Sequence, residues 1–224
     1  MDFKDKPRRL STNTNLRLIY GDNYQGLPIQ TKQGPLIENY LEQCLNTITR
    51  ALDEHPRTST FWFILRFPNG RAVMHGEDSR AVEKFIASMK AQISHDQQRT
   101  AQLRGTAHGS NVRHIWAKEY GRGGRPHLHC ALLLNHDAYH TLGNFQSEQE
   151  NVSSRIRTAW ARALKLSWDQ AYGLVEFPAN PVYYLKRKGG LPGFEGFFFR
   201  VSYLCKAATK VYGDWSHAFG CSRK

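Results

Sequence analysis

The stretch "EYGRGGRPHLHCALLLN", Glu119–Asn135, sets two histidines one residue apart in an apolar run, directly after a glycine-rich turn. Side chains alternate across a strand, so His127 and His129 share one face with Ala131 and Leu133. Leu128, Cys130, Leu132 and Leu134 take the opposite face, the natural core side. The preceding "VRHIWAKEY" (112–120) reads as a second strand, and "GRGGR" as the turn of an antiparallel hairpin. A hairpin centred near Gly123 places Glu119 opposite His127, where cross-strand side chains touch. Two imidazoles about 7 Å apart along the backbone, with a carboxylate facing them, can converge on one divalent cation and leave coordination positions open. The mixed donor set suits Mn²⁺ or Mg²⁺, and imidazole tilts the preference toward Mn²⁺. His114 lies on the other hairpin face and is not counted as a ligand. The competing reading is a pair of ordinary strand histidines, each satisfied by a hydrogen bond.

Outward from the hairpin, the pattern is mixed. "LIENYLEQCLNTITRALDE" (36–54) carries apolar residues at helical spacing. "TSTFWFILRF" (58–67) is a strand rich in aromatic and β-branched residues, stopped by Pro68-Asn69-Gly70. "SRAVEKFIASMKAQI" (79–93) is an amphipathic helix, and "NVSSRIRTAWARALKL" (151–166) a basic one. "GLVEF" (173–177) reads as a short strand and "FEGFFFRVSYLCKAATK" (194–210) as a last helix. After the first helix the order is β-α-β-β-α-β-α. The fold class is therefore α+β: an antiparallel sheet of ferredoxin-like (split βαβ, RRM-like) topology, helices on one face, and the last helix across the other, open face. Residues 1–35 read as a loosely docked arm, 36–212 as one domain including the N-terminal helix, and 213–224 as a basic tail.

The chain has 224 residues with 31 Lys+Arg against 19 Asp+Glu, a net charge of +12. A surplus of that size points to a polyanionic partner, most simply nucleic acid. No apolar run approaches the roughly 18 residues that span a bilayer, so no membrane partner is expected. The N-terminal residues lack a signal-peptide core. Four cysteines, Cys44, Cys130, Cys205 and Cys221, are scattered without a C-x-x-C pair. That excludes a zinc ribbon and fits a reducing cytoplasm rather than a disulfide framework.

"RPHLHCALLL" resembles the H-hydrophobic-H motif of the HUH endonucleases, which include rolling-circle replication initiators, relaxases and single-strand transposases. "GRPHLHCALLLN", "NPVYYL", "RVSYLCKAATK" and "FGCSRK" are together similar to the inovirus gene-two-like proteins of phages and prophages, over residues 15–224. The resemblance implies metal-dependent, site-specific nicking and rejoining of single-stranded DNA at a replication origin. It also implies host replication proteins as further partners, and the cytoplasm of a bacterial host cell as the location. The implied nucleophile is a helix-borne tyrosine followed by a lysine, giving a covalent 5′-phosphotyrosine.

Two Y-x-x-K candidates exist. Tyr203 and Lys206 share a helix face with Lys210 at i, i+3, i+7. The second pair is Tyr183 with Lys186, on a short piece that Asn180-Pro181 could open, with Tyr184 adjacent. The longer helix favours Tyr203 as nucleophile and Lys206 as its cation. The remaining DNA contacts would come from Arg66 over the open face, Arg122 and Arg125 in the turn, Lys186, Arg187 and Lys188 in "YLKRK", and Lys210. Trp62 and Trp116 are core residues or base-stacking rings. The same fold kept as a non-catalytic DNA- or RNA-binding protein is the alternative, since pure binding needs none of Glu119, His127, His129 and Tyr203. A different metallohydrolase ranks below both, because no H-x-H-x-D-H cluster is present.

Overall fold

The computed structural model describes residues 6–70, 76–121, 123–145, 150–187, 192–213 and 216–223. Five short strands open the chain: β1 (Arg9–Leu10), β2 (Asn13–Ile19), β3 (Asn23–Tyr24), β4 (Leu27–Pro28) and β5 (Leu36–Ile37). Then come α1 (Glu38–Glu54), β6 (Arg57–Arg66), α2 (Glu77–Arg104), β7 (Arg113–Tyr120), β8 (Pro126–Asn135) and α3 (Val152–Leu164). The chain closes with β9 (Val175–Glu176), β10 (Val182–Lys186), α4 (Pro192–Ser202), two 3-10 turns at Tyr203–Cys205 and Ala207–Thr209, and β11 (Phe219–Cys221).

The fold is α+β. The main sheet runs β10-β6-β8-β7-β11, and β9 also pairs with β6. Every pairing in it is antiparallel. The hairpin forms as its sequence requires: Gly121 N–H bonds the Arg125 carbonyl at 2.9 Å, and Gly124 takes φ +70°, which a side chain would resist. Asn151 caps α3 by accepting from Ser154 N at 2.9 Å, and the Ser154 hydroxyl returns a bond to Asn151 in a capping box.

Both faces of the sheet are covered: α4 lies across the second face as expected, and α1 joins it there, which closes a face expected to be open. One core gathers Phe61, Phe63, Leu65 and Leu128 with Phe85 and Met89 of α2 and Ile156 and Trp160 of α3. The other gathers Trp62, Ile115, Ala131 and Leu133 with Leu41 and Ile48 of α1 and Phe197, Phe198 and Val201 of α4. The reason lies in β6, whose residues Thr58–Leu65 are buried on both faces. Such a run is apolar continuously rather than alternately. Trp62 and Trp116 are both buried, so packing rather than base stacking is their role.

Three segments depart from their expected form. The N-terminal residues do not dock loosely: Leu16, Tyr24 and Ile29 are buried in the second core. The C-terminal tail ends in a sheet strand, with Phe219 opposite Ala117 and its ring stacked on Tyr40 at 4.2 Å. Gly220 is needed there, because a Cβ would meet the Trp116 ring at 2.7 Å. Finally, "NPVYYL" is no helix. It forms the edge strand β10, with Tyr183 opposite Thr60 and Lys186 opposite Arg57.

Candidate functional site

Glu119 and His127 are register partners on β7 and β8, as the hairpin arithmetic requires, and His129 pairs with Ala117 and with Ile64 of β6. One ligand atom from each of Glu119, His127 and His129 lies within 4.8 Å of the others. They form the only group of three or more potential ligands among the described residues. The His127 and His129 rings meet edge to face, 5.0 Å between centroids. The donor set fits a divalent cation: burial would raise the Glu119 carboxyl, but His129, Lys210 and Lys206 outweigh it and hold the group at about 2. His127 is shifted down, first by burial and then by its neighbour His129, which favours the neutral ligating form.

The helix α4 stops at Ser202, short of the expected 194–210. Its last carbonyls are taken elsewhere: Phe199 O accepts from the Ser202 hydroxyl at 2.7 Å and from Gln30 Nε2 at 2.9 Å. Ser202 Oγ in turn accepts from Gln30 N. Further on, Ala207 N donates to Pro35 O at 3.0 Å, and Lys206 bridges to Leu36. The N-terminal segment thus draws the chain out of helical geometry. Tyr203, Lys206 and Lys210 nevertheless converge, while Ala208, which helical spacing assigns to the core stripe, is exposed.

The Tyr203 ring stands edge to face on His129, 5.6 Å between centroids. Lys206 Nζ lies 3.4 Å from the centre of that ring and 2.9 Å from Glu119 Oε2. Glu119 Oε2 is also the oxygen nearest His129, at 3.5 Å. The other oxygen, Oε1, accepts from the Thr209 hydroxyl at 3.2 Å and faces Lys210 Nζ at 3.7 Å. Thr209 was missed by the sequence reading, and nothing in its local pattern marks it. The Lys210 side chain is 0% exposed, so this ammonium turns inward onto Glu119 instead of outward to a DNA phosphate. Burial lowers its pKa and Glu119 partly offsets that.

The other candidate residues are placed as follows. Arg66 pairs in register with His127 at the same sheet corner and binds Glu176 Oε2 at 2.6 Å. Arg125 sits in the hairpin turn and donates to Asn69 Oδ1. Arg122 and Lys188 lie outside the described residues. Lys186 and Arg187 are not brought to the site. Lys186 pairs with Arg57, which is seven positions along β6 from Ile64, about 23 Å at strand rise. Lys186 Nζ covers the Tyr184 ring at 5.1 Å, and Arg187 faces Asp53 at 3.7 Å. Tyr183, opposite Thr60, is about 13 Å of strand from Ile64. Tyr184 points to the opposite face, its ring 4.1 Å from that of His136. Tyr203 alone among the three tyrosines contacts a candidate ligand.

Among the described residues, no helix is long and apolar enough to cross a membrane. No solved structure matches the chain. It is 32% identical over 194 residues to the uncharacterized protein YfjJ of Escherichia coli (strain K12), covering 84% of this chain and 90% of that one. It is 33% identical over 144 residues to the uncharacterized protein YagK of the same organism, covering 63% of this chain and 69% of that one. The hairpin, the tyrosine turn and nearly all of both cores fall within residues 21–222, which match the YagK/YfjJ C-terminal domain, and the chain belongs to that family.

Proposed function

We propose that this chain nicks and rejoins single-stranded DNA through a 5′-phosphotyrosine on Tyr203, starting rolling-circle replication of a phage or related mobile element as an HUH-type endonuclease. The observation that carries this reading is the placement of one phenol against a candidate metal ligand, with Lys206 between that phenol and Glu119. Glu119, His127 and His129 would hold the cation, Mn²⁺ in preference to Mg²⁺. When bound, it supplies Lewis-acid polarisation of the scissile phosphate.

In this reading Tyr203 Oη attacks the phosphorus and the P–O3′ bond breaks. The departing 3′ oxygen ends as a hydroxyl, and the phenol proton leaves to solvent. Because phenoxide is a fair leaving group, a 3′-hydroxyl can attack the phosphotyrosine in turn and reseal the strand. Lys206 offsets charge on the phosphoryl oxygens. Arg66 and Arg125, at the same end of the sheet, would hold the flanking phosphates.

A second reading, a non-catalytic DNA- or RNA-binding protein, is favoured by one observation. The Glu119 carboxylate already has Lys206, Thr209 and Lys210 around it, as in a purely structural ion cluster. A covalent-adduct assay separates the two. The protein is mixed with single-stranded DNA from its own replicon and Mn²⁺, then run on a denaturing gel. A shifted band lost in Tyr203→Phe is the expected result. A band that survives moves the nucleophile to Tyr183 or Tyr184. No band, with metal and DNA both bound, leaves the binding module.

A further inference from the structure

We propose that the surface around Arg157 is a second, metal-independent binding site for single-stranded DNA, in which bases stack on Trp168 and Tyr172. The proposal rests on the reading of single-stranded DNA as substrate and assigns it a path beyond the metal centre.

Trp168 is 47% exposed, Tyr172 85% and Phe145 48%, in a chain whose other large aromatic rings are mostly in the two cores. Arg157 contacts Phe145 and shares a cavity with the other two. The Arg157 guanidinium lies 5.2 Å from the Phe145 ring centre and 5.6 Å from that of Phe177. The same side chain lines a surface cavity with Trp168, Ala171, Tyr172 and Val175. Exposed apolar faces grouped in one patch, rather than scattered singly, are the kind of surface that serves as an interaction site. A guanidinium set among rings is the arrangement that stacks bases while drawing in a phosphate, without reading sequence.

Charge and position select the occupant. The chain carries +12, so a polyanion is favoured over an acidic-surface-seeking protein partner. Glu176, the acidic group on β9, is already paired with Arg66 at 2.6 Å. Val175 and Glu176 pair with Leu65 and Ile64, and Ile64 is opposite His129. Val175, which lines the cavity, therefore lies on a strand two spacings, about 10 Å, from the strand of His129, with the patch on the α3 side of the sheet and the candidate ligands on the other. DNA leaving the metal centre past Arg66 would round this edge of the sheet to reach Tyr172 and Trp168 on its other side.

The test is fluorescence anisotropy of a fluorescein-labelled oligothymidylate with the full chain in EDTA. Trp168→Ala/Tyr172→Ala and Arg157→Gln are compared with Leu103→Ala, an exposed apolar residue outside the patch. Circular dichroism checks that each variant is folded. The double variant is expected to bind about tenfold or more weakly, and Leu103→Ala to match the wild type. Binding within about twofold of wild type, or a wild type that does not bind in EDTA, overturns the proposal. So does a double variant with altered sedimentation and unaltered DNA binding, which would make the patch a contact between copies. The adduct assay is run in parallel. An adduct on Tyr203 with unchanged binding by the double variant sinks only this site. Binding lost by the double variant, with no adduct formed by the wild type, sinks only the nickase.

Discussion

Glu119 is a buried carboxylate set between two lysines and a histidine. Its side chain is 5% exposed and is held by Lys206, Lys210, Thr209 and His129 at once. Removing the carboxylate would leave two buried ammonium groups without an anion. Glu119→Ala is therefore expected to cost about 3–5 kcal/mol in urea unfolding, well above Lys206→Met, which leaves the carboxylate with Lys210 and Thr209. His127→Ala/His129→Ala should behave differently, since both imidazoles are only partly buried and their removal strands no buried charge without a partner: Glu119 keeps Lys206 and Lys210. That variant is expected to keep its unfolding midpoint near the wild type and to lose Mn²⁺ binding in calorimetry. Retained Mn²⁺ binding there would remove the metal from the proposed function.

At the scale of elements, β11 is the one most exposed to solution conditions. His114 Nδ1 meets the Ser222 hydroxyl at 2.9 Å, and Ser222 N donates back to the His114 carbonyl at 3.0 Å. Burial, helped by Lys90, holds the His114 imidazole down from 6.5 to about 4. A histidine depressed in the folded state leaves stability intact above its ordinary value and removes it as pH falls toward the depressed one. Between pH 6.5 and about 4 this junction should lose about 3 kcal/mol, and His114→Gln should flatten that slope in denaturant melts across pH. The elements also show what a sequence discloses. The Glu119–His127 pairing was legible because strand period and turn length are local. Tyr203, Lys206 and Lys210 were found by helical spacing, although their backbone leaves the helix after Ser202. The competitors that end it, Gln30, Pro35 and Leu36, lie far away along the chain. The covering by α1 was illegible for a related reason: Trp62 looks like a solvent-side residue until α1 and α4 are packed in the same core. Edge strand β10 was missed because Asn180-Pro181 resembles a helix start.

For the whole molecule, the charge surplus makes a prediction independent of any one residue. Affinity for single-stranded DNA should fall with added salt, with a log–log slope of about −3 for four or five neutralised phosphates. Titrating a labelled oligonucleotide across salt concentrations tests this, and a flat response would remove nucleic acid as the partner. The closing strand also ties β7 to α1. Phe219→Ala should cost about 3 kcal/mol, read as a lowered urea midpoint, because its ring stacks on Tyr40 within a closed core. One further consequence follows from how the tyrosine turn is fastened. The candidate ligands belong to β7 and β8, interior strands flanked by partners on both sides, whereas Tyr203 is kept in place by residues 29–36 of the chain's first segment. Amide protons of the ligand hairpin should then exchange with solvent only when the entire molecule opens. Those around Tyr203 should exchange sooner, by release of the first segment alone, so the two halves of one centre would come apart at different free energies.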